Sequence, residues 1–108
     1  MPFFSVTLKQ GANYSFRIAD GVNGTAVSFI TLNKADRIAA AQPESVAAGA
    51  TTDFAQNFGA KIDRLILILS PRTGGSVSVT VLDANNNPIA PTETYNGDAT
   101  VQFDVKAL

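Results

Sequence analysis

Apolar and polar side chains alternate with a period of two along most of this chain, and this feature constrains the fold more than any other. In residues 76–81 every second side chain is a valine, and the side chains between are Ser or Thr. Residues 4–9, 14–18 and 101–105 repeat the pattern with aromatic and aliphatic residues. Because successive side chains of a β-strand point to opposite faces, the alternation predicts half-buried strands.

Turn-forming residues separate the predicted strands. Residues 10–13 and 20–24 contain Gly and Asn, which tolerate positive φ, and Asn96-Gly97 is a strong tight-turn dipeptide. We expect residues 14–18 to be the strand that returns from the first one, and residues 25–32 to be a third strand.

Two segments depart from the alternation. Residues 62–69 become apolar on both faces in their second half, which predicts a central strand covered on both sides or lying in an interface. Asp63 and Arg64 precede the apolar half and are interpreted as charges that keep it soluble, with a sheet-edge ion pair or a functional rim as alternatives. Residues 34–50 are rich in alanine and are predicted to be a long connection that holds a short helix or an irregular strand.

About eight short strands with turns between them predict one all-β domain over residues 1–108, a β-sandwich of jelly-roll or Greek-key type. The loop at residues 82–88 leads into a weaker strand at residues 89–95. Because Pro88 and Pro91 lack the amide donor of a strand ladder, that segment is predicted to be an edge strand or a loop.

Composition narrows the function classes. Eight basic and nine acidic side chains give a net charge of -1, and the basic ones are scattered, so we expect no nucleic-acid partner. With 45% hydrophobic and 16% charged residues, a disordered chain is excluded. The chain has no Cys and no His, which removes disulfides, the usual zinc sites and imidazole catalysis. No Asp or Glu spacing predicts a catalytic pair, so we expect a protein that is not an enzyme.

The N-terminus lacks the positive region and long apolar stretch of a signal peptide. The longest strongly apolar run, residues 65–69, is too short to cross a bilayer. We therefore expect a soluble protein without membrane insertion, either made without a leader or cut from a longer chain. A cysteine-free chain fits any redox compartment, so localisation stays open.

One candidate ligand-binding loop contains Asp83, Asn85 and Asn87, whose alternate spacing is that of a loop that wraps calcium in side-chain oxygens. Pro88 stands where such a loop needs glycine, and no bidentate Glu follows at the expected distance. A hairpin turn is the plainer interpretation, because Asp and Asn bond to their own backbone. No cofactor is required, and a calcium or sugar site is the alternative.

A second candidate loop contains Tyr95, Asn96 and Asp98, with Glu93 nearby. An aromatic ring beside amide and carboxylate groups is typical of a shallow sugar site. The same residues are also ordinary turn formers, and the absence of Trp weakens a lectin interpretation.

Three segments carry a resemblance to a known family. They are residues 5–16, which read as strand, glycine-bearing turn and aromatic strand, then residues 82–89 and the final alternating strand at 101–105. In this order they resemble the bacterial pre-peptidase C-terminal type of β-sandwich module. The family's acidic strand is matched only by residues 63–66, and its Gly-x-Tyr is replaced at residues 98–100. The resemblance implies an extracellular accessory module that assists secretion or substrate binding, often with calcium.

Two functions follow as hypotheses. The first is a non-enzymatic, lectin-like binding module for carbohydrate, with the two loops as its rim. The second is a structural or assembly protein that forms a homo-oligomer or a particle component, which the two-sided apolar run favours.

Overall fold

The structure, a computed structural model, describes residues 6–108. Nine strands form within them: β1 (Leu8–Lys9), β2 (Asn13–Asp20), β3 (Thr25–Asn33), β4 (Ile38–Val46), β5 (Thr51–Asn57), β6 (Ile62–Pro71), β7 (Val77–Leu82), β8 (Glu93–Tyr95) and β9 (Ala99–Lys106). One sheet has the order β1-β9-β6-β3-β4 and the other β5-β2-β7-β8. The predicted all-β sandwich is confirmed. None of the described residues forms a helix long and apolar enough to cross a membrane.

The core lies between the two sheets and is built from the inward side chains of the alternating strands. Leu65, Leu67 and Leu69 of β6 are fully buried. The ring of Phe16 joins the sheets, because its edge-to-face contacts place it 5.6 Å from the ring of Phe29 and 5.4 Å from that of Phe103. Such aromatic pairs stabilise a core beyond their buried area alone.

The two-sided apolar strand is central, as predicted: β6 pairs with β3 on one side and with β9 on the other. Its two faces differ, however. The leucine face is in the core, whereas Ile66 and Ile68 on the opposite face are only half-buried.

Residues 34–50, predicted as a long connection with a short helix or an irregular strand, contain the nine-residue strand β4, whose register with β3 shifts between Thr31 and Leu32. The predicted irregular strand is therefore present, but it is longer than expected because β4 pairs with β3 along the edge of the sheet. Its first six residues, Ile38 to Pro43, are all exposed. Over these six residues neither face is buried, so no apolar alternation marks them. Strand β5 went unassigned for a similar reason, since Thr52 and Gln56 stand at its inward positions beside Phe54.

The predicted return of residues 14–18 beside the first strand was also wrong. β1 pairs in parallel with β9, whereas β2 belongs to the other sheet. Gly11, at φ 80°, turns the chain across the sandwich, and its amide donates to the Phe58 carbonyl at 2.7 Å. Residues 1–5, which include the start of the predicted first strand and of the N-terminal segment, lie outside the described residues.

Connections between the sheets decide where the loops lie. Within residues 6–108, β3–β4 and β7–β8 are the two hairpins, and the other six connections pass from one sheet to the other. Asn96-Gly97 joins β8 to β9 and is one of those six, so this predicted turn is not a hairpin turn. Residues 89–95 were predicted to be an edge strand or a loop. This is confirmed, because β8 covers the last three of these residues and is the edge of its sheet.

Candidate functional site

The two predicted binding loops lie at opposite ends of the sandwich. Tyr95 pairs with Val77 at the start of β7, whereas the Asp83 loop follows Leu82 at the end of that strand. Six strand residues separate these positions by about 17 Å. The structure therefore does not bring the loops together into one rim.

The Asp83 loop adopts the predicted turn. The Asp83 Oδ1 atom accepts hydrogen bonds from the amides of Asn85 at 2.8 Å and Asn87 at 3.0 Å, and Asn86 takes the left-handed conformation at φ 61°. Asn85 and Asn87 are exposed. In the part of the chain that the structure describes, no three acidic side chains come together to hold a metal ion.

The second loop places its polar and aromatic groups differently. Tyr95 packs against the core, and this burial, followed by the charge of Glu93, raises the pKa of its hydroxyl. Its ring is therefore partly buried against the core. Asn96 and Asp98 are exposed, and Asp98 lines an open depression of about 700 Å³ together with Asn23, Pro71, Arg72 and Thr73.

The end of the sandwich that holds Asp98 is fixed by Asp20, a carboxylate only 6% exposed at the end of β2. Its Oδ1 accepts from the Thr25 hydroxyl at 2.6 Å. Its Oδ2 accepts from the amides of Gly24 at 3.0 Å and Gly49 at 2.9 Å. The Thr25 hydrogen bond, then the Gly49 amide, lower the pKa of Asp20, because these donors stabilise the charged form more than burial penalises it.

The β2–β3 and β6–β7 loops interlock at this end. The Gly21 amide donates to the Ser76 carbonyl at 2.7 Å, and the Arg72 amide donates to the Gly24 carbonyl at 3.0 Å. Gly75 sits so close to the neighbouring loop that a Cβ there would lie 2.8 Å from the Val22 carbonyl oxygen. The loop backbones are thus held by contacts that a larger residue would break, which pre-organises the surface they carry.

Arg72 projects from this framework. Its Nε atom lies over Gly24, 3.9 Å from the position of a Cβ there. Arg17 and Arg64 form ion pairs with Asp53 and Asp36, whereas Arg72 has no acidic partner within residues 6–108.

Arg72 also connects two depressions. It lines the 700 Å³ depression and an adjoining one of about 530 Å³, and Asn23 lines both. We call the two together the Arg72 groove. Asp98 lies at one end of the groove, and its other polar lining side chains carry hydroxyls: Thr25, Ser45, Thr52, Ser70 and Thr73.

Of the six residues predicted to bind ligand, Asp98 alone lines this groove. Arg72 and Asn23 were missed as site residues because the sequence shows them only as turn residues. The segment from Asp20 to Thr25 does carry a signal, an acidic residue before a loop with two glycines. The decisive partner, Gly49, lies 29 residues away, so no local spacing shows it.

The fold and this rigid polar end define a small β-sandwich that presents clamped loops on one end. No protein family, curated protein or solved structure matches the chain.

Proposed function

We propose that this protein is a non-enzymatic binding module that takes a carbohydrate bearing a carboxylate group in the Arg72 groove. The observation that carries the proposal is the exposed guanidinium of Arg72, which has no acidic partner among the described residues and lines two adjoining depressions beside the clamped loops. Loops on a rigid scaffold are where proteins most often place binding residues.

The chemistry of the lining suits an acidic sugar. A guanidinium binds a carboxylate with two parallel hydrogen bonds, which gives both strength and orientation. Sugar hydroxyls donate to a carboxylate such as Asp98 and exchange hydrogen bonds with the Asn23 amide and the Ser45, Ser70 and Thr73 hydroxyls. A pre-organised groove also spares the ligand the entropic cost of ordering the loops.

The same lining argues for binding rather than hydrolysis. Glycoside hydrolysis needs two carboxyl groups about 5–9.5 Å apart across the scissile bond. Asp98 is the one acidic side chain among the described residues that line the groove. Asp20 is close in sequence to Asn23, but its two oxygens already accept three hydrogen bonds from the fold.

Arg72→Gln tests the proposal. The wild type is screened on an array of neutral and carboxylate-bearing glycans, with and without calcium, and the best ligand is titrated by calorimetry. Arg72→Gln removes the charge but keeps a hydrogen-bonding side chain. We expect the affinity to fall about tenfold or more, because a charge-assisted pair is lost.

Arg37→Gln is the matched control. Arg37 is also exposed and has no acidic partner among the described residues, but it lines neither depression. It should bind like the wild type. If no glycan on the array binds with or without calcium, the proposal is wrong. If both variants lose the same affinity, binding reflects unspecific attraction to positive charge and not a site at Arg72.

A further inference from the structure

The outer face of the five-stranded sheet carries an apolar band that the second sheet does not cover. Ile66 and Ile68 of β6 are half-buried there, and Ile30 of β3 lies directly beside Ile66. On the next strand, Ala41 pairs with Ile30 and Pro43 with Ser28, so the band continues to the sheet edge.

Leu32 extends the band toward the β3–β4 turn. It pairs with Arg64 and is 8% exposed, yet it is outside the cluster of side chains between the sheets. Beyond it, Ile38 is exposed to 64%. A central strand that is aliphatic on both faces is expected where both faces are covered.

We propose that this face is covered by the same face of a second copy of this chain, in a two-fold dimer with the two sheets packed together. Face-to-face sheets with nearly aligned strands are a standard way of burying such a surface. A two-fold axis makes one patch serve on both copies. The inference does not rest on ligand binding, although Ser45 and Ser70 of the Arg72 groove lie at one end of the same face.

The area is sufficient for a dimer. The four long strands β9, β6, β3 and β4, each about 4.8 Å wide, give a width of about 19 Å, and their eight to ten residues give a length of about 30 Å. The face therefore offers about 600 Å² per copy, and the two copies together bury more than the roughly 1,000 Å² that a specific interface needs.

Charge does not oppose a second copy. The chain has a net charge of -1, so repulsion between copies is small. At one end of the face Arg64 and Asp104 are direct cross-strand partners, and Arg64 also contacts Asp36 at 3.4 Å. This end offers both signs of charge to an identical surface.

The open edge of β4 is a poorer route to association. β3 and β4 keep an unbroken register from Thr25 to Thr31, and Pro43 pairs with Ser28 within it. Because proline has no amide hydrogen, Pro43 fits an antiparallel ladder where its nitrogen faces away from the neighbouring strand. It therefore removes a donor from the middle of the open edge, which protects the edge against strand addition.

Sedimentation velocity over a range of concentrations tests the dimer. The wild type should reach twice the 11.3 kDa mass of the chain. Ile66→Glu should sediment as a single chain and retain the circular dichroism of the wild type, because it places a charge on the apolar band. Ala55→Glu, on the outer face of the other sheet, adds the same charge and should stay dimeric.

Two outcomes overturn the proposal. One is a wild type that stays a single chain up to about 1 mM. The other is a dimer that survives Ile66→Glu. If Ile66→Glu fails to fold, Ser45→Pro is the second test of whether the dimer forms through the face or through the edge. This substitution removes another outward amide from β4. If Ser45→Pro stays dimeric, the result supports association through the sheet face. If it becomes a single chain, the contact lies at the β4 edge and the proposal is wrong.

Discussion

Asp20 shows how one side chain holds several loops in place. Its carboxylate bonds to Thr25 at the start of β3 and to Gly49 before β5, so it connects loops that are far apart in sequence. In an almost buried site a carboxylate without hydrogen bonds would be costly. Here three donors form hydrogen bonds to the carboxylate. They stabilise its charged form, and the pKa of Asp20 is lowered as a result.

The lowered pKa of Asp20 predicts acid sensitivity. A carboxyl group with a lower pKa in the folded than in the unfolded state stabilises the fold above its unfolded pKa, which is about 3.9. That contribution is lost as the pH falls through the folded pKa. Asp20→Asn should lower the Tm at neutral pH, because a neutral amide loses the charge-assisted hydrogen bonds of the carboxylate, and should flatten the fall of Tm on acidification.

Thermal melts of the wild type and Asp20→Asn between about pH 7 and pH 2 check this prediction. Asp63→Asn is the control, since Asp63 is exposed at the start of β6. An Asp20→Asn protein with the wild-type acid profile would show that another group governs acid unfolding.

At the scale of elements, β6 and β4 show opposite relations between sequence and environment. β6 reads as a central strand because its apolar run needs cover on both faces, and the sheet order agrees. β4 gives no such signal because its first six side chains are exposed and the side chains between Ile38 and Val46 are small or polar. A buried strand can thus be recognised from the periodicity of its apolar residues. An exposed edge strand lacks this periodicity, and its position is set by its pairing with the neighbouring strand, here β3.

The two faces of β6 predict different costs of truncation. Leu67→Ala should lower the free energy of unfolding by about 2–5 kcal/mol, because Leu67 is fully buried between the sheets and its loss leaves a cavity. Ile68→Ala should cost clearly less, since Ile68 is half-buried on the outer face. The structure thus limits the core to one face of the strand.

Urea melts at a protein concentration low enough to keep both variants as single chains measure this difference. Equal costs at Leu67 and Ile68 would mean that the outer face is covered within the chain itself.

At the scale of the whole molecule, the sandwich has two ends that differ in construction. One end holds the Asp20 clamp, the Arg72 groove and Asp98, while the other holds the Asp83 turn. The two loops predicted to form the rim of one site, residues 83–87 and 95–98, are separated by the length of β7.

This separation predicts that the two ends act independently on ligand binding. Asp98→Asn should weaken binding of the acidic glycan, because one of the two accepting carboxylate oxygens becomes an amide NH2 group that cannot accept from a sugar hydroxyl. Asp83→Ala should leave the affinity unchanged, since sites more than about 7–10 Å apart with no shared partners behave additively. Calorimetry of both variants against one ligand checks this prediction. If Asp83→Ala lowers the affinity as much as Asp98→Asn does, the Asp83 loop belongs to the binding site.

The fold class follows from the sequence, because the two-residue period needs only local geometry to predict strands with one buried face. The central place of β6 and the Asp83 turn follow in the same way. Tertiary structure alone decided the pairing of β1 with β9, the pairing of β4 with β3 and the Arg72 groove. These depend on contacts between residues distant in the chain, such as Asp20 with Gly49, and on which strand is left at an edge. Periodicity reports the face of a strand, but not its neighbour or the end of the sandwich at which its loop emerges.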